Sequence, residues 1–175
     1  VQSAYCLIVR TPFHTVWDSG IVHSPQQSFL PYEGLPLQSK TKYTWQVTVW
    51  DQAGNAACGE KHFETGILHP EEWQARWIKN TLLRPEIPCP PFWTLKPPVQ
   101  FEKTFRLNGK IASARLYAAA HGIYRAYVND MRPDDREFAP EHAVYEKVLY
   151  YQTYPVERLL RQGQNTLRFY VADGW

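Results

Sequence analysis

An all-β protein of two small domains is what this sequence predicts, and three observations carry that expectation. The run YTWQVTVWD, Tyr43 to Asp51, alternates apolar and polar side chains with a period of two, as a half-buried strand does. No stretch of the 175 residues sustains the 3.6-residue period of an amphipathic helix. Seven of the fourteen prolines crowd into Pro70 to Pro98, where each removes a backbone donor and restrains its predecessor. That crowding is expected to exclude a regular ladder. The layout is therefore a domain over 1–68, a Pro/Trp-rich linker over 69–98 and a second domain over 99–175.

In chain order, Ala4 to Val9 reads as the first strand, and Asp18-Ser19-Gly20 as a turn. In the next strand Tyr43, Trp45, Val47 and Val49 share one face, while Thr44, Gln46 and Thr48 share the other. Both aromatic residues are expected in the core, with Leu37 beneath the Tyr43 ring. The residues Asp51 to Gly54 turn the chain, and Lys61 to Thr65 returns it. The linker carries one expected helical turn near Glu71 to Ala75, with Trp73 and Trp77 four apart on one side. Beyond it, Val99 to Leu107, Ala112 to Ala119 and Ile123 to Val128 alternate, separated by Asn108-Gly109 and His121-Gly122. Asn129-Asp130 reads as a turn, Val156 to Leu160 as one helical turn ended by Gly163, and Thr166 to Ala172 as the last strand.

Composition removes several functions. Nineteen Lys and Arg against seventeen Asp and Glu leave a formal charge of +2, with no basic cluster to hold nucleic acid. Hydrophobic runs are short and interrupted, so no membrane span is expected. Cys6, Cys58 and Cys89 form neither a disulfide framework nor a metal pair. With no visible signal peptide, unpaired thiols favour a reducing, cytoplasmic setting. The six His show no paired zinc spacing, and no phosphate loop or nucleophile elbow is present.

Leu37, Thr41, Tyr43 and Trp45 in LQSKTKYTWQVTVWD resemble the L-x-x-x-T-x-Y-x-W/V pattern of a fibronectin type III-like sandwich. Such domains have about seven strands and about 100 residues, so this shorter copy resembles one lacking its first strand. The segments FEKTFRL, ARLYAAAHGIYRAYVND and VERLLRQGQNTLRFYV resemble a galactose-binding-like jelly roll, also incomplete here. A broader resemblance covers nearly the whole chain. VWDSG, YTWQVTVWD, FETGIL, the Trp73/Trp77 linker, ARLYAAAHGIYRAYVND, VLYYQTYPVERLL and a final ADGW follow one another as in the N-terminal portion of bacterial α-L-rhamnosidases. Two departures stand out: Asn129-Asp130 replaces the usual Asn-Gly turn, and Pro140-Glu141-His142-Ala143-Val144-Tyr145 replaces Pro-Gly-Trp-Thr-x-Tyr.

The resemblance implies that the catalytic acids belong to a helical domain beyond Trp175, so no catalytic residue is expected in this chain. An inverting glycosidase needs two carboxyl groups about 6.5–9.5 Å apart, one protonated and one ionised. Asp134, Asp135, Glu137 and Glu141 are the candidates, and the run DDREFAPE reads more simply as a solvated loop. No motif calls for a cofactor. Calcium is the one ion that Asn129, Asp130, Asp134 and Asp135 could suit, because a hard cation takes carboxylate, amide and backbone oxygens. Trp93, Tyr127, Asp173 and Trp175 are the candidate carbohydrate contacts, since a ring beside a polar group matches a sugar's apolar face and polar edge. For Trp175 the competing reading is packing against a following domain.

The function these readings favour is a non-catalytic accessory region of a rhamnosidase-like glycoside hydrolase. The parent would hydrolyse terminal α-L-rhamnosyl residues with inversion. Expected partners are a rhamnosylated carbohydrate, the remainder of the same enzyme or a second copy, with no nucleic acid and no membrane. The alternatives are a stand-alone carbohydrate-binding module and a structural assembly domain.

Overall fold

The alternation of Tyr43 to Asp51 becomes the centre of an antiparallel sheet in the computed structural model, which describes residues 1–89 and 93–174, without the side chains of Trp93 and Leu95. The chain divides into two compact units, Val1–Trp77 and Ile78–Trp175. In the first, strands β1 (Gln2–Arg10), β2 (Thr15–Asp18), β3 (Lys42–Asp51) and β4 (Ala56–Glu64) lie in the order β2-β1-β3-β4. Val9 pairs with Trp45, Leu7 with Val47 and Tyr5 with Val49, so one face collects the apolar side chains. Strand β2 was not expected; its four residues are too few for a periodic signal, and the long pairing surface of β1 supplies the order.

Among the described residues this unit's strands form one four-stranded sheet. The cover of its apolar face at the Tyr43 end is the segment that joins β2 to β3. Leu37 packs against the cluster of Val9, Val16 and Tyr43, as do Trp17, Trp45 and Phe63. The Gln38 amide donates to the Tyr43 hydroxyl at 2.8 Å. A tyrosine whose hydroxyl returns to the backbone a few residues upstream is the corner device of immunoglobulin-type sandwiches. Tyr43 is 2% exposed and stacks on Phe63 with ring centroids 5.3 Å apart. Trp45, expected in the core, is half-buried at its margin. Its truncation therefore removes less packing than the loss of a fully enclosed tryptophan.

Two differences lie in the Pro-rich segment. The helical turn is a 3-10 turn at Pro70–Glu72, earlier than expected because proline suits the first helical position. A regular ladder also forms despite the prolines: β5 (Ile87–Cys89) pairs with β6 (Trp93–Leu95). A two-stranded ladder leaves alternate N–H groups pointing outward, so a proline at Pro88 need not break it.

The second unit has two layers. Strands β7 (Val99–Leu107), β9 (Ile123–Val128) and β11 (Gly163–Ala172) form a sheet in the order β7-β11-β9. A smaller sheet pairs β8 (Arg115–Ala118) with β10 (Gln152–Pro155). Ala118, Tyr124, Ala126, Val128, Tyr154 and Val156 form the buried cluster, with Leu167, Phe169 and Val171 packed against it. Small alanines let the layers approach while two tyrosines fill the remaining volume. The hydroxyls of Tyr124 and Tyr154 lie 3.0 Å apart, and that of Tyr124 donates to the Ala118 carbonyl at 3.2 Å. Burial and this pairing push the Tyr124 phenol above its ordinary value, so it stays neutral.

Asn165 is the polar exception inside this unit, fully buried at the start of the inward-facing residues of β11. Its amide oxygen accepts from Asn129 Nδ2 at 2.8 Å and from the Arg161 amide at 2.9 Å. Its Nδ2 donates to the carbonyls of Arg161 and Gly163. The contact to Asn129 ties β11 to the β9 turn and the other three close the approach to β11 locally, together satisfying a group whose burial would otherwise be costly.

Candidate functional site

Period-two alternation in β11 sends Leu167, Phe169 and Val171 inward and therefore Thr166, Arg168 and Tyr170 outward. Register places Arg168 between Glu102 of β7 and Tyr127 of β9, and Tyr170 between Gln100 and Arg125. The outer face of this sheet is the part of the second unit where charged and aromatic groups converge. Arg168 Nε reaches Glu102 Oε2 at 2.8 Å, and its Nη1 reaches Asp130 Oδ1 at 2.6 Å. Arg125 and Arg132 both bind Glu137, each at 2.8 Å. Those two guanidinium groups, Arg132 foremost, hold the Glu137 carboxyl below its ordinary value. Between the ion pairs the Tyr127 and Tyr170 rings meet edge to face, centroids 5.7 Å apart.

Of the carboxylates weighed for acid–base work, Glu137 is bound by two arginines. A general acid at neutral pH requires a raised value, the opposite of what the two arginines impose on Glu137. Asp134 accepts from the Arg136 amide at 3.2 Å, and Asp135 is exposed. Of the residues considered for calcium, Asn129 uses its amide oxygen to accept from the Thr166 amide and its Nδ2 to reach Leu159 and Asn165. Asp130 is bound to Arg168. Among the described residues, no group of three or more His, Cys, Asp or Glu side chains is placed to hold a metal ion. Asn129 and Asp130 have φ of 50° and 66°, and Val128 and Met131 bridge across them. This is a tight two-residue hairpin turn with both central residues left-handed, which Asn and Asp tolerate better than most side chains.

The carbohydrate candidates separate. Tyr127 lies on the outer sheet face. Asp173 is at the end of β11, its carboxylate 2.6 Å from Arg84 Nη2. Trp93 stands in β6 opposite Cys89, its side chain outside the description, and Trp175 lies outside the described residues. Near Asp173 the His121-Gly122 turn and the Ala172-to-Gly174 segment lie tightly against each other. A methyl group at Gly122 would strike the Ala172 carbonyl, and one at Gly174 would lie 2.9 Å from the Gly122 Cα. Tyr145 closes the crossing, its hydroxyl accepting from the Gly122 amide at 2.9 Å. Tyr170 and Arg168 were not among the expected site residues. Period-two placement could have found them once the register with Tyr127 was known.

Fold and geometry define a pair of β domains, the first immunoglobulin-like and the second a two-layered β structure with an ordered polar outer face. Residues 1–69 match the "Rha78A-like, N-terminal immunoglobulin domain" family, and residues 109–175 match the "Alpha-L-rhamnosidase N-terminal domain" family. Both matches are to domains from the N-terminal end of α-L-rhamnosidases, and the chain corresponds to an N-terminal portion of such proteins. An α-L-rhamnosidase of Formosa agariphila is 32% identical over 99% of the chain and 20% of its own length. One from Alteromonas sp. is 31% identical over 91% of the chain and 18% of its own. The solved α-L-rhamnosidase of Dictyoglumus thermophilum superposes with a TM-score of 0.88 at 31% identity, across 99% of the chain and 21% of that structure. The Aspergillus terreus enzyme gives 0.78 at 29%, across 99% and 20%. The chain spans about a fifth of the length of the relatives it matches.

Proposed function

We propose that this chain is a non-catalytic accessory region of an α-L-rhamnosidase-type glycoside hydrolase. Its work is to support the catalytic region and to contribute to carbohydrate recognition. The observation that carries the reading is the pair of family matches: both are to N-terminal domains, and together they account for most of the chain. Glu137 supports it too, since two arginines neutralise it rather than leave it poised to donate a proton. In this reading the parent hydrolyses terminal α-L-rhamnosyl groups with inversion, using acids outside this chain. Tyr127 and Asp173 are its proposed carbohydrate contacts here, with Trp93 and Trp175.

The test is hydrolysis of an aryl α-L-rhamnoside by the 175-residue chain and by the longer protein that contains it. The chain alone is expected to release no product above a Glu137→Gln control, and the longer protein to turn over. Release by the chain that Glu137→Gln abolishes would overturn the reading.

A further inference from the structure

We propose that the outer face of the β7-β11-β9 sheet, centred on Tyr127 and Tyr170, binds an uncharged, hydroxyl-rich glycan. The proposal rests on the accessory reading above and assigns the recognition to a defined surface. Three features of that face select the ligand.

The first is the aromatic pair. Tyr170 is 39% exposed and Tyr127 half-buried, and their edge-to-face contact fixes both rings without a backbone loop to order. A sugar's C–H face can lie against such a ring while its hydroxyls reach the sheet on either side. The second is the flanking geometry. Arg168, held by Glu102 and Asp130, lies beside Tyr127 in register, and Arg125, held by Glu137, lies beside Tyr170. A guanidinium carries five donors, so the two contacts named for Arg168 leave others for hydroxyl oxygens. Side chains already fixed lose little freedom when a ligand arrives, which favours weak polar recognition.

The third feature is what the face does not offer. Arg125 and Arg168 beside the tyrosines have carboxylate partners, so a polyanion bound there would have to displace ion pairs already made. The outward positions of β7, from Gln100 through Glu102 and Thr104 to Arg106, are polar and exposed, which gives an apolar protein surface little to bury against. A neutral ligand that adds hydrogen bonds to existing pairs fits both conditions.

The experiment is a titration of the isotopically labelled chain with a neutral rhamnose-containing oligosaccharide, followed by amide chemical shifts. A polygalacturonate oligomer serves as the charged comparator. Saturable shifts clustered on the outward residues of β9 and β11 are expected, and Tyr170→Thr, which keeps a strand-favouring residue, should weaken binding at least ten-fold. The Arg168→Gln variant, whose fold is checked by the same spectra, should also weaken it. No saturable shift, or shifts concentrated around Asp173, would overturn the proposal. So would equal or stronger binding of the polygalacturonate that salt abolishes, because that would be polyanion attraction. Protection of this face from exchange in the longer protein without sugar would make it an interdomain contact and overturn it as well. None of these results touches the hydrolysis test, so the accessory reading stands or falls separately.

Discussion

The two units solve one problem, burying the inner face of a small antiparallel sheet, with different chemistry. In Val1–Trp77 the core is built around one aromatic corner: Tyr43 is sealed by Leu37 and Phe63, and its hydroxyl is satisfied by a single backbone amide. In Ile78–Trp175 small residues bring two sheets together, and buried polar groups fix their arrangement. An apolar face needs only a cover, and a covering segment of the right composition suffices. Two layers must also be aligned, and the directional hydrogen bonds of Tyr124 to Tyr154 and to the Ala118 carbonyl supply that alignment, while Asn165 and Asn129 tie the β9 turn to β11 within one sheet. The first unit should therefore tolerate the loss of a polar contact better than the second.

The largest break in that comparison is Asn165→Ala. It takes a partner from Asn129 Nδ2, the Arg161 amide and two carbonyls around a fully buried side chain. A cost of about 4 kcal/mol is expected from several unsatisfied groups at once. Five of the seven tryptophans lie in Val1–Trp77, so tryptophan fluorescence reports chiefly on the first unit. Amide exchange in β9 and β11 should accelerate while the fluorescence midpoint in denaturant stays near that of the parent. A fluorescence midpoint that falls in parallel would show that the two units unfold as one.

A smaller effect sharpens the other half. Tyr43→Phe keeps the ring and its stacking on Phe63 but strands the Gln38 amide. The expected loss is about 1–2 kcal/mol, read as a lower fluorescence midpoint with β11 exchange unchanged. An unchanged midpoint would mean that the corner is held by packing alone.

The smallest effect is electrostatic and confined to the second unit. Because Arg132 and Arg125 lower the folded-state value of Glu137, its ion pairs contribute stability above the ordinary carboxylate value. That contribution is lost as pH falls through the lowered folded-state value. A carboxyl carbon titration of Glu137 should therefore show ionisation persisting to lower pH than in Arg132→Gln. Equal titration in the two proteins would remove Arg132 as the cause.

Much of this was legible in the one-dimensional pattern, and what escaped did so for identifiable reasons. Tyr43 was placed in the core because a period of two fixes which side chains share a face, whatever they pack against. Ile123–Val128 and Val99–Leu107 were found because each alternates over its own length. Strands β2 and β10 have four residues each, too short for a period; β2 is ordered along the longer β1, and β10 by its pairing with β8 and the burial of Tyr154. The β5–β6 ladder was hidden by its prolines, whose cost depends on which way each nitrogen points, a property of pairing rather than of composition.

For the outer face, sequence alone determined that Tyr127 would stand among polar neighbours in a strand that turns at Asn129-Asp130. Only the tertiary structure decided that Arg168 and Tyr170, some forty residues later, would stand beside it. The reason is that register between distant strands is set by which inner faces can be buried together. It likewise decided that the acidic side chains of the turn and the following loop would answer arginines, since an ion pair depends on what the fold brings within reach.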